Sequence, residues 1–139
     1  MITALTRTGA RWRRGSRALE AAALLVATQI GLRASPRSIA ARVLRRAQAP
    51  DGTVVDGARA RDVAQVVERM ARWTGNPTCL SQALTGWLML RRRGVAASVR
   101  VGARRDSAGV HMHAWLDVGG ACLIGGAEAS RFVPFTRQT

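Results

Sequence analysis

The feature that most constrains this chain is a change of hydrophobic period at Gly94. Before it, apolar residues recur at three- and four-residue intervals; after it they alternate, with Val95, Ala97, Val99, Val101 and Ala103 facing one way and Ala96, Ser98, Arg100 and Gly102 the other. A helical half followed by a half-buried strand predicts helices first and an antiparallel sheet afterwards, an α+β fold. Arg104 to Gly109 then reads as a turn, His111 to Val118 as a second strand, Gly119-Gly120 as a two-residue hairpin turn and Ala121 to Ile124 as a third strand. Arg131 to Phe135 is a candidate edge strand. At 139 residues the expectation is one domain, 1–139, with a loosely ordered arginine-rich start over 1–17.

Four helices are expected ahead of the switch. Arg17 to Leu32 is an apolar segment behind Arg11, Arg13 and Arg14, which imitates a signal peptide. Glu20 interrupts it, no small-residue cleavage site follows and it is short for a span, so it reads as a core helix without stable membrane insertion. Pro36 opens a second helix with Ile39, Ala40, Val43, Leu44 and Ala47 on one face and arginines on the other. Residues 49–58 form a loop. The third helix, Arg59 to Thr74, carries a stripe of Val63, Val66, Val67, Met70 and Trp73, and places Glu68 and Arg72 for an i,i+4 pair.

The fourth lies between Gly75 and Gly94. Asn76 suits the N-cap and Pro77 the first helical position, with Leu80, Ala83, Leu84, Trp87 and Leu88 at helical spacing. Cys79 therefore falls in the first turn, where free backbone donors and the helix dipole suit a nucleophile. A cysteine nucleophile needs a base, and the chain offers only His111 and His113, two apart on one strand. Trp87 and Trp115 read as core, Cys122 as an inert buried thiol and His111 as the spare histidine.

Composition narrows the partners. The net charge of +14 comes from 22 basic residues, all arginine, against eight acids. This favours something anionic. With no aromatic platform, zinc-finger spacing or RNP-like motif among the arginines, a nucleic acid is not expected. Two cysteines do not make a disulfide scaffold and fit a reduced, cytoplasmic protein.

The run Pro77-Thr78-Cys79-Leu80, Ala83-Leu84, Trp87, Leu90 and Arg91-Arg92-Arg93-Gly94, then Val101-Gly102 and His113-Ala114-Trp115-Leu116-Asp117, resembles the stand-alone leader peptidases of lasso peptide biosynthesis, a transglutaminase-like cysteine peptidase family. Leu19-Glu20-Ala21 through Leu32-Arg33 to Pro36 is similar to that family's opening helices. The resemblance implies a papain-like or transglutaminase-like core and a hydrolase that removes the leader from a ribosomally made precursor. An ATP-dependent macrolactam synthetase would act next, and a separate leader-recognition protein would present the substrate. Cys79 would be the nucleophile and His113 the base and acid; no cofactor or metal enters. The family's orienting aspartate, about a dozen residues after the histidine, falls here on Gly125. Asp117 and Glu128 are the carboxylate candidates, although four strand residues set Asp117 roughly 13 Å from His113. A dyad or a backbone carbonyl as orienter is equally open. Two other functions fit the residues: a transglutaminase or amidase acting on glutamine side chains, and a non-enzymatic basic binding protein using the arginine faces.

Overall fold

The structure is a computed structural model and describes residues 2–34, 37–48, 55–75 and 77–134, with side chains from residue 15 onward except 39, 40, 127 and 128. It has the α+β architecture that the period switch implies. The helices are α1 (Ile2–Ala34), α2 (Arg37–Gln48), α3 (Gly57–Ala71) and α4 (Cys79–Arg92); then come strands β1 (Ser98–Asp106), β2 (Gly109–Val118) and β3 (Ala121–Ile124), a short helix α5 (Gly126–Ala129) and β4 (Val133–Pro134). The antiparallel sheet runs in the order β3-β2-β1-β4. Thus the first three strands form a meander, and the chain crosses the sheet to add β4 on the far edge.

The centre of the molecule is α4, packed against α1, α3 and the sheet. Its residues Ser81, Ala83, Leu84, Thr85, Gly86, Trp87, Met89 and Leu90 are all buried. Gly86 allows the closest approach: a Cβ there would stand 2.7 Å from Ile124 Cδ1 and 2.8 Å from Leu116 Cδ2. Helix and sheet therefore meet at a position where only glycine fits without rearrangement. Val99, Val101, Ala114, Leu116, Val118 and Ile124 form the sheet side of this core.

Polar contacts fix α1 against α4. Thr28 Oγ1 lies 2.6 Å from Ser81 Oγ and 3.3 Å from Thr85 Oγ1, and Ser81 Oγ donates to the Leu25 carbonyl at 3.3 Å. Ser81 and Thr85 are fully buried, so this seam satisfies hydroxyls that would otherwise be costly there. At the other end of α4, Arg93 grips Glu20 through both guanidinium nitrogens, at 3.2 and 2.7 Å, and Arg92 adds a third bond at 3.0 Å. The acid that breaks the apolar run of α1 is thus the anchor for the arginines that end α4.

Several expectations change. Helix α1 begins at Ile2, well ahead of the apolar segment: no proline occurs before Pro36, and the Ala, Leu and Arg content supports helix across Gly9 and Gly15. The α4 cap is Thr78, whose hydroxyl accepts from Ser81 N, and the first helical residue is Cys79; Pro77 precedes the helix and Asn76 lies outside the described residues. Trp73 is 80 % exposed because α3 stops at Ala71 and the chain turns, with Trp73 N donating to Met70 O. No ion pair joins Glu68 and Arg72 among the described residues. The β1–β2 turn contracts to Ser107-Ala108. Pro36, most of the 49–58 loop and Phe135 lie outside the described residues.

Candidate active site

Cys79 is the first residue of α4, half-buried and not disulfide-bonded. Its position is held by two capping contacts: Ser81 N donates to Thr78 Oγ1 at 3.2 Å, and the Gln82 side chain donates to the Pro77 carbonyl at 3.0 Å. The Thr78 carbonyl takes Gln82 N. The N–H groups of Cys79 and Leu80 have no acceptor among the described residues, as the first two donors of a helix do not. They remain available to an oxyanion beside the sulfur.

His113 sits in the middle of β2, opposite Gly102 of β1. Its Nε2 is 2.9 Å from the Gly125 carbonyl. Gly125 has φ 75° and a would-be Cβ 3.0 Å from the Ala114 carbonyl and 3.1 Å from His113 Nε2, so a glycine lets this carbonyl reach the imidazole. Because a carbonyl can only accept, the proton is on Nε2 and the lone pair on Nδ1. The imidazole is further held by Phe132 and Trp115, with ring centroids at 5.0 and 6.0 Å.

The two residues are not in hydrogen-bond contact. Pleat alternation puts His113, Trp115 and Gly102 on one face of the sheet, and Leu116 and Ile124 on the face that meets Gly86. Trp115 and Phe132 accordingly pack with His113 outside the main core.

Asp117 makes no hydrogen bond to His113. Asp117 pairs with Arg100 at 3.5 Å, and its Oδ1 is buried without a partner among the described residues. Glu128 is in α5, but its side chain is outside those described. The group that meets His113 Nε2 is the backbone carbonyl of Gly125, the position counted from the family pattern. The sequence reading missed Asp106, whose Oδ1 lies 3.0 Å from His111 Nε2 on the exposed end of the hairpin. The signal was the five-residue spacing across a tight β-turn, which brings an acid and a histidine together. Backbone donation from Ala108, then the His111 bond, holds the Asp106 carboxyl below its ordinary range.

Cys122 is exposed and not buried, since β3 is an edge strand and Cys122 falls on its open side. Even so, its sulfur contacts the chain at Gly126 and sits near Asp117; desolvation, and then that negative charge, push the thiol up to about 11. Among the described residues, no three His, Cys, Asp or Glu side chains are grouped to hold a metal ion. No described helix is long and apolar enough to cross a membrane.

No curated protein and no solved structure matches the chain. The family model described as the transglutaminase-like superfamily matches residues 6–137, from within α1 through the whole sheet. Cysteine peptidase and transglutaminase-type acyl transfer are the activities this superfamily suggests. With a helix-initial cysteine, a strand histidine and an α+β core in the expected order, this chain belongs to the transglutaminase-like superfamily.

Proposed function

We propose that the protein is a cysteine peptidase that removes the leader from a lasso precursor peptide before macrolactam formation, with Cys79 as nucleophile and His113 as base and acid. The observation that carries the assignment of His113 is its Nε2 bond to the Gly125 carbonyl. That bond leaves Nδ1 as the free base and replaces the family's carboxylate with a fixed neutral acceptor. The dyad requires Cys79, on the helix side of the sheet, and His113, on the face turned away from Gly86, to be brought together when substrate binds.

In this scheme His113 Nδ1 takes the Cys79 proton and the sulfur attacks the scissile carbonyl. The N–H of Cys79 or Leu80 receives the oxyanion. The imidazolium then protonates the leaving amine, which becomes the new N-terminus of the core peptide. Water, deprotonated by Nδ1, frees the leader from the thioester as a carboxylate. The lasso assignment itself rests on the Cys-Leu, Arg-Arg-Arg-Gly and His-Ala-Trp runs, and it carries a separate leader-recognition protein as partner.

Mass spectrometry of precursor peptide incubated with the protein and its recognition partner tests this. Wild type should yield a leader-sized loss, and Cys79→Ala and His113→Ala should yield none. Persistent cleavage by Cys79→Ala overturns the nucleophile. An intact backbone with ammonia released from glutamine side chains would instead identify an amidase or transglutaminase.

A further inference from the structure

Helix α4 leaves part of the sheet bare on its own side. Val95 N donates to the Leu90 carbonyl near the end of α4, and one turn earlier in the helix Gly86 meets Leu116, the partner of Val99. Toward its start, then, α4 advances up β1 and down β2. Along that course the residues of β2 on the helix side are 0 % exposed at Leu116, 3 % at Ala114, 63 % at Met112 and 60 % at Val110. The cover ends between Ala114 and Met112, and α4, the large helix packed on β2, itself stops in that direction at Cys79. The bare sheet therefore begins where the nucleophile's helix begins.

What lies past that border is apolar and shares one face. Ala103 pairs with Met112 of β2 and with Val133 of β4. Directly paired residues of antiparallel strands point the same way, so these three form a row on the α4 side, with Val110 next along β2. Phe132, stacked on His113, alternates to the other face, in agreement with this placement of Val133. Val133 is 73 % exposed, and Arg105, opposite Val110, is the charged rim. Position selects the occupant. A peptide whose scissile carbonyl is held by the Cys79 sulfur and the free N–H groups of the first turn must carry its neighbouring residues off the start of the helix. Met112 lies about 7 Å past Ala114, the last covered residue, which is the span of two residues of an extended chain. A permanently seated partner would bar substrate from the sulfur, and the row is open to solvent. Resting on the peptidase reading above, we propose that Val110, Met112 and Val133 are the platform for an apolar side chain of the precursor peptide within about two residues of the scissile bond.

Carbon-13 methyl NMR of methionine-labelled Cys79→Ala protein reads the platform without turnover. Precursor peptide added with its recognition partner should shift the Met112 methyl resonance and leave that of the fully buried Met89 in place, and the partner alone should shift neither. Steady-state cleavage then reads the platform's weight. Met112→Gln with Val133→Gln should raise KM for the precursor by about tenfold or more through lost apolar contact, with kcat within about twofold. Its thermal midpoint should stay at the wild-type value, because both side chains are exposed. Serine at the precursor's apolar residue beside the cut should cost a similar factor with wild type and little with the double variant. The proposal is overturned if the Met112 signal is unmoved by precursor, if the partner alone moves it, or if the double variant keeps the wild-type KM. It is also overturned if the signal shifts on dilution of the free protein, since the row would then serve a second copy. If wild type leaves the precursor intact while precursor still moves the Met112 signal, the peptidase reading fails and the binding platform stands.

Discussion

At the residue scale, the two histidines are two positions apart on one strand yet differ in what holds them. His113 is fixed by a carbonyl and two rings, whereas His111 shares an exposed turn with Asp106. His113→Ala should therefore lower kcat/KM for leader removal by about a thousandfold, and His111→Ala by less than about threefold. Parallel steady-state assays on the precursor decide it, and equal losses would give His111 the role of base. Cys122 makes a second prediction. With its thiol raised to about 11 by desolvation and by Asp117, it stays protonated at neutral pH despite its exposure. Iodoacetamide labelling of Cys122 in a Cys79→Ala background should be slow at pH 7, climb toward pH 11, and begin to climb earlier in Asp117→Asn. That Cys79 opens a helix and His113 lies on a strand was legible in spacing and capping residues. The orienter was not, because a backbone carbonyl has no residue type to recognise.

At the element scale, α4 depends on one close approach and one clamp. Gly86→Ala would gain about 1 kcal/mol of helix propensity, but the new methyl meets Ile124 and Leu116 well inside contact distance. Overpacking of this kind costs about 1–3 kcal/mol, so the variant should unfold at lower urea with an unchanged slope. The clamp is Glu20, whose carboxyl is held below its ordinary value of 4.5 first by the Arg93 hydrogen bond and then, against the cost of burial, by the charges of Arg93, Arg92 and Arg17. A depressed carboxyl contributes stability that is present above 4.5 and is lost as pH falls through the lower folded-state value. Melting curves of wild type should thus drop on acidification below pH 4.5, whereas Glu20→Gln starts lower at pH 7 and lacks that part of the drop. The strand and helix identities were legible because their periods differ. The arginine run at the end of α4 was not legible as a clamp, since its partner is more than seventy residues away in the chain.

At the scale of the whole molecule, the segment after β3 joins the layers. It leaves one edge of the sheet, supplies the Gly125 carbonyl and Phe132 to the His113 face, and pairs as β4 on the opposite edge. Phe132→Ala removes a ring stacked on the imidazole and a side chain lying over Gly102, and should lower kcat/KM by about tenfold. Circular dichroism should show the helices intact, because Phe132 packs apart from the main core; a collapse of helical signal would make its role structural. By itself, the sequence determined the α+β class, the meander, the Gly119-Gly120 turn and a cysteine at a helix start, because each follows from local periodicity, capping and turn chemistry. Tertiary structure alone decided which acceptor orients His113, that Glu20 binds the α4 arginines, that Trp73 faces outward, and which face of α1 is buried. Those outcomes depend on how elements distant in the chain are superposed, and a helix apolar on both sides carries no local sign of which side the core will take.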